Sequence, residues 1–109
     1  MRTLKFIVDG STIKADPACS FNGLFPGAED NIRAEFYFSK EWKNSVKVGA
    51  FWSVMGNEYE PQVIKEDNSC MIPTEALKRS SFRVQVLGKR AGTKLQTNKL
   101  TVYQKGGNA

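Results

Sequence analysis

Several stretches of this sequence carry apolar side chains at every second residue, and that period constrains the fold more than any other feature. Ile32, Ala34, Phe36 and Phe38 alternate with Arg33, Glu35 and Tyr37, and Phe82, Val84 and Val86 alternate with Arg83, Gln85 and Leu87. Successive side chains of a strand point to opposite faces, so a period of two marks a half-buried strand. Within residues 46–53, Val46, Val48, Ala50 and Trp52 alternate against Lys47, Gly49, Phe51 and Ser53. That phase predicts Trp52 in the core and Phe51 facing outward. Residues 94–103 predict a closing strand with Leu100 and Val102 inward.

The connecting residues agree with short strands. Asp9-Gly10 separates residues 3–8 from residues 11–14 and predicts an N-terminal hairpin. Between residues 16 and 30, Pro17, Gly23, Pro26 and Gly27 interrupt any regular element, while Phe21, Leu24 and Phe25 predict a loop folded onto the body. Residues 59–64 contain Pro61, which cannot donate to a ladder and so marks an edge strand. A strand over residues 70–72 leads into Pro73, which can start one helical turn near residues 73–78. Trp42, in a polar connection, is expected to cap one end. Strands at this spacing predict an all-β, antiparallel, Ig-like sandwich of seven to eight short strands. A chain of 109 residues fits one domain, expected over residues 1–105 with a flexible tail at 106–109.

Residue types exclude more chemistry than they suggest. There is no histidine, which removes the commonest general base and nearly all zinc sites. Cys19 and Cys70 lack metal-ligand spacing, and no Walker or dinucleotide-binding glycine pattern occurs. They can pair as a disulfide, or stay reduced if the protein remains in a cytosol, with Cys70 a small buried thiol. Glu58 and Glu60 would share a strand face as a glycosidase pair does, but beside the Gly56-Asn57 turn they read as solvated. Glu29-Asp30 and Glu66-Asp67 lack the alternating ligand spacing of a calcium loop. No catalytic residue, metal or cofactor is assigned. Nor does any apolar run approach bilayer-spanning length or a signal-peptide core, so the expected location is the cytoplasm of synthesis, or outside it by a route needing no signal, such as lysis.

Charge and aromatics point to a partner. Residues 1–75 hold eight Lys and Arg against eleven Asp and Glu, a net −3; residues 76–109 hold eight cations and no carboxylate. Arg83, Lys89, Arg90, Lys94 and Lys99 are expected to gather on one sheet face and one end. Such a patch can dock on an acidic protein, hold nucleic-acid phosphates, or be neutralised by Glu35, Glu58 and Glu60. Tyr37, Phe51 and Tyr103 read as outward aromatics, either interface residues or seats for the loop at residues 16–30.

Two stretches carry a family resemblance. One is Phe38-Ser39-Lys40-Glu41-Trp42 followed by Val46-Lys47-Val48-Gly49-Ala50-Phe51. The other runs from Cys70-Met71-Ile72-Pro73-Thr74-Glu75-Ala76-Leu77 through Phe82-Arg83-Val84-Gln85-Val86-Leu87-Gly88 to Leu95-Gln96-Thr97-Asn98-Lys99-Leu100-Thr101-Val102. Together they resemble small phage and prophage proteins and the Ig-like modules of phage tail and baseplate proteins. The resemblance implies a non-catalytic protein-binding module, a tail, baseplate or capsid accessory that moves from host cytoplasm to virion and can form a homo-oligomer. The alternative is a phage-encoded inhibitor of host defence, of the anti-CRISPR type. Tail modules usually sit within longer chains, whereas this chain is nearly all module, which leaves room for a free-standing role.

Overall fold

Gly10 adopts φ 59°, where a residue without Cβ is least strained, and folds β1 (Arg2–Asp9) back onto β2 (Thr12–Ala15) with Asp9 opposite Thr12. This computed structural model describes residues 1–28 and 31–104. β1 also pairs along its whole length with β3 (Ile32–Phe38), whose far edge takes β6 (Ser69–Met71), giving the sheet order β2-β1-β3-β6. The second sheet is β5 (Gln62–Val63), β4 (Val46–Trp52) and β7 (Ser81–Arg90), with β8 (Thr93–Gln96) and β9 (Leu100–Tyr103) in succession on the far edge of β7. The all-β sandwich expected from the alternation is what the chain forms.

Two details differ from the expectation. The β1–β3 pair is parallel, Arg2 opposite Ile32 and Val8 opposite Phe38, while the other pairs are antiparallel. Parallel neighbours need a long crossover, and the segment after β2 supplies it. That segment is tied down: the Arg2 guanidinium donates to the carbonyls of Ser20 and Asn22, Phe21 meets the Phe6 ring edge-on at 5.6 Å, and Leu24 is buried. Phe25 stays exposed. The second difference is nine strands in place of seven or eight. The closing strand is divided because Gln85 and Val86 of β7 face three residues, Thr97, Asn98 and Lys99, a bulge of one. Thr97 exchanges bonds with Val86 through its backbone N–H and side-chain Oγ1. Asn98 leans the other way, its Oδ1 accepting from Ile13 N–H at 2.9 Å and its own N–H donating to Ser11 O. The bulge therefore links one edge of each sheet.

The strand phases mostly agree with the alternation. Ile32, Ala34 and Phe36 are buried on β3, and Phe82, Val84 and Val86 on β7. In β4 the phase is the reverse of that expected, although Ala50 of the outer set is also fully buried. Phe51 is 0% exposed and packs on Phe82, so it is a core residue and cannot contact a partner. Trp52 is half-buried on the outer face, and does not fill the core. β5 is confirmed as an edge strand, shortened to two residues beside Pro61.

Trp42 plugs one end. It sits in a 3-10 turn (Lys40–Trp42), its ring 5.5 Å from that of Phe38, and its Nε1 donates to Gly10 O at 2.7 Å. Gly88 leaves room for this ring; a Cβ there would lie 2.7 Å from it. At the other end, helix α1 (Thr74–Leu77) is closed by Gln104, whose buried amide donates to the carbonyls of Ala76, Leu77 and Arg79. These bonds add to the backbone donors that the Ala76 and Leu77 carbonyls find outside the helix, Arg79 N–H and Gly27 N–H. Residues 106–109, expected to be a tail, lie outside the described residues.

Candidate docking face

The outer face of the five-stranded sheet is built by the side chains that β4 turns away from the core. Val46, Val48, Ala50 and Trp52 alternate there, opposite Lys89, Leu87, Gln85 and Arg83 of β7. Val63 of β5 stands opposite Val48. Val46 and Val63 are 71% and 69% exposed, unusual for β-branched residues that strands otherwise turn inward. A groove of about 450 Å³ is lined by Val46, Val48, Pro61 and Leu87, with Lys89, Lys94 and Glu58 at its margins.

The expected basic residues separate into two groups on this sheet. Lys89 and Lys94 are register partners in the β7–β8 hairpin, whose turn residues Ala91 and Gly92 both have positive φ, as the tightest hairpins require. Arg90 is in the adjacent register pair, and its guanidinium reaches Lys43 O at 3.4 Å. Arg83 and Lys99 lie toward the other end of β7, roughly 20 Å from the hairpin at strand rise. There Lys99 Nζ sits 3.7 Å from the centroid of the Trp52 ring. Tyr103 is exposed at that end, opposite Ser81. Tyr37 is exposed as expected, but on β3 of the other sheet. The five-stranded sheet and its connections thus carry seven of the eight candidate residues, but Phe51 is internal, which leaves six at the surface; Tyr37 is on the other sheet.

Neutralisation by contact does not occur. Among the described residues the only ion pair within 4 Å is Arg33–Glu35 at 3.4 Å, on the other sheet. Two lysines directly opposite each other repel, and Lys89 and Lys94 have no carboxylate between them. Glu58 and Glu60 do not converge: Glu58 borders the groove, and Glu60 lines a separate depression with Glu75. Asp67 is engaged locally, and the Ser69 hydroxyl, donating at 2.6 Å, holds its carboxyl below the usual carboxylate range. Glu41 is likewise lowered, chiefly by a hydrogen bond from Ser39. Among the described residues no group of three or more Cys, Asp or Glu is placed to hold a metal, and Glu29-Asp30 lies outside them. No helix among them is long and apolar enough to cross a membrane.

Val46, Val48, Pro61, Val63 and Leu87 are not recognisable as one surface from the alternation of the sequence. The available signal was the edge-strand proline beside two valine-bearing strands.

Both cysteines are free thiols. Cys70 is in the core, and burial pushes its thiol up to about 12. Cys19 is partly exposed and accepts from Lys5 N–H at 3.4 Å. A thiol-exchange reagent at pH 8 is expected to titrate one thiol of the native protein readily and the second only on unfolding. The unfolded state loses the Cys70 proton near the ordinary thiol range and the folded state only near 12, so this group lowers stability as pH rises through that window. Two thiols reacting at equal rates in the native protein would contradict the assignment.

No protein-family model matches the chain, and no curated protein is significantly similar to it.

Proposed function

We propose that this protein is a non-catalytic, phage- or prophage-encoded protein-binding module, a tail, baseplate or capsid accessory that docks through the outer face of its five-stranded sheet. The observation carrying the docking reading is the exposed valine groove flanked by Lys89 and Lys94, neither of which forms an ion pair among the described residues, with Glu58 the one carboxylate at its margin. Apolar contact area with a charged margin is the usual anatomy of a protein interface. The margin commits the partner to an acidic surface. The virion role itself rests on the resemblance of the strand cores and of the Ile72-Pro73-Thr74-Glu75-Ala76-Leu77 turn to tail and baseplate modules.

Particles produced by the encoding phage or prophage test this directly. Gradient-purified particles are expected to carry the chain at fixed stoichiometry, and to lose it when Val63 is changed to Asp. Particles lacking the wild-type chain overturn the virion role. If the free chain then blocks a host nuclease in a cleavage assay, the docking face belongs to a defence inhibitor.

A further inference from the structure

Among the described residues, two of the four shielded donors without a hydrogen-bond partner belong to neighbours on the docking face. They are the indole Nε1 of Trp52 and the Nε of Arg83. These residues are register partners across β4 and β7, so their side chains stand on the same face about 5 Å apart. The remaining two orphans are elsewhere: Arg33 Nε on the other sheet, and the Tyr59 hydroxyl in a depression with Ser53 and Arg79.

A third donor reaches this pair. Lys99 leaves the bulge beside β7, and its ammonium lies 3.7 Å from the Trp52 ring centroid. Since β7 separates β9 from β4, the lysine stem must cross β7 next to Arg83. The residues around the cluster do not answer these donors. Ala50 has no acceptor in its side chain, and the Gln85 amide is turned toward the bulge, where its Nε2 donates to Thr97 O at 2.8 Å. Among the described residues neither Arg83 nor Lys99 forms an ion pair. Glu58 is the backbone bridge partner of Trp52 on the edge of β4 away from Arg83.

Unmade hydrogen bonds of shielded donors oppose folding, and an anion entering here would satisfy them together. We propose that Trp52, Arg83 and Lys99 form a carboxylate-binding site for an aspartate or glutamate side chain of an acidic protein partner. The proposal deepens the docking reading and rests on it. A guanidinium presents its donors in a fork that matches a carboxylate, and the indole N–H adds a neutral donor. Lys99 serves as a movable strap. Its flexible stem rests over the ring in the free protein and swings with the ammonium to the anion when the ligand arrives.

The two tryptophans provide the test. Trp42 Nε1 is already bonded to Gly10 O, so its indole N–H resonance is an internal reference in the ¹⁵N-labelled full chain, and Trp52→Phe assigns the other. Titration with a capped hexaglutamate peptide is expected to shift the Trp52 indole resonance saturably and leave that of Trp42 in place. Arg83→Met and Lys99→Met are each expected to weaken the response about tenfold or more, while Lys89→Gln retains it. An unchanged Trp42 resonance verifies that each variant is folded. A Trp52 resonance unmoved at millimolar peptide overturns the site, as does a response that survives both methionine changes. A capped hexaglutamine peptide giving the same shift would also overturn it. Oligothymidylate binding more tightly than hexaglutamate replaces carboxylate with phosphate as the ligand. A failed titration with wild-type chain still present on particles removes this site alone; a positive one with particles lacking the chain removes the virion role alone.

Discussion

Replacing Trp42 with alanine is expected to cost about 3–5 kcal/mol of folding stability, the largest effect of any single substitution considered. Domains of this size have only about 5–15 kcal/mol in total. Trp42 is 1% exposed and is among the largest side chains fully enclosed in the core. Its ring seals the end where Phe38 of β3, the Gly10 turn of the β1–β2 hairpin and Gly88 of β7 meet, so it touches both sheets. Neither sheet can move in to fill the space without breaking its own ladder, and an unrelaxed cavity costs more than the lost transfer energy. Urea unfolding checks this. With a slope of about 1–3 kcal/mol per molar, the midpoint should fall by roughly 2 M. Trp42→Phe keeps most of the volume but leaves Gly10 O without its indole donor, and should cost clearly less. Trp52→Ala, on the outer face, is the comparison that separates position from residue type. A Trp42→Ala protein within about 1 kcal/mol of wild type would refute the plug.

How much of this was legible in the sequence depended on whether the two faces of a strand differ. In β3, Arg33, Glu35 and Tyr37 contrast with Ile32, Ala34 and Phe36, and the phase follows at once. In β4 both faces are apolar, Val46, Val48 and Trp52 on one and Phe51 on the other, and the more regular set of large residues is the outer one. The true inner set contains Lys47 and Gly49, which look like surface residues. Lys47 is tolerated because it lies near the end of the strand, with Nζ 5.1 Å over the Phe38 ring and 3.2 Å from Ser45 O. Gly49 is accommodated for the opposite reason: a Cβ there would lie 3.2 Å from both Cys70 Sγ and the Phe51 ring. A shift of one residue exchanges every side chain between core and surface, so this single ambiguity hid both a core phenylalanine and the docking face. Partner choice between strands is not encoded in alternation at all, which is why the parallel β1–β3 pair was not foreseen. The basic third after Glu75 was legible as composition. Its division into a hairpin group and a Trp52 group required the register of β7.

Reversing both Lys89 and Lys94 to glutamate is expected to slow association with an acidic partner by about 10- to 1,000-fold at low salt, with little change in stability. The two lysines protrude at the hairpin tip, where long-range attraction acts before any apolar contact forms, so the effect belongs mainly to the association rate. Raising salt should erase most of the difference, since charges beyond a Debye length of about 10 Å at 0.1 M are screened. Leu87→Ala in the groove should act on the dissociation rate and be nearly insensitive to salt. Lys89→Glu alone separates binding from folding most cleanly. Because Lys94 is its direct register partner, the change turns a repulsive pair into an attractive one and should raise stability by about 0.2–1 kcal/mol. The same change should slow association. A variant that is more stable and yet binds more slowly means that like charge was retained at this position at the expense of the fold. If Lys89→Glu gains stability without any loss of association rate, the hairpin is solvated surface and the partner docks elsewhere.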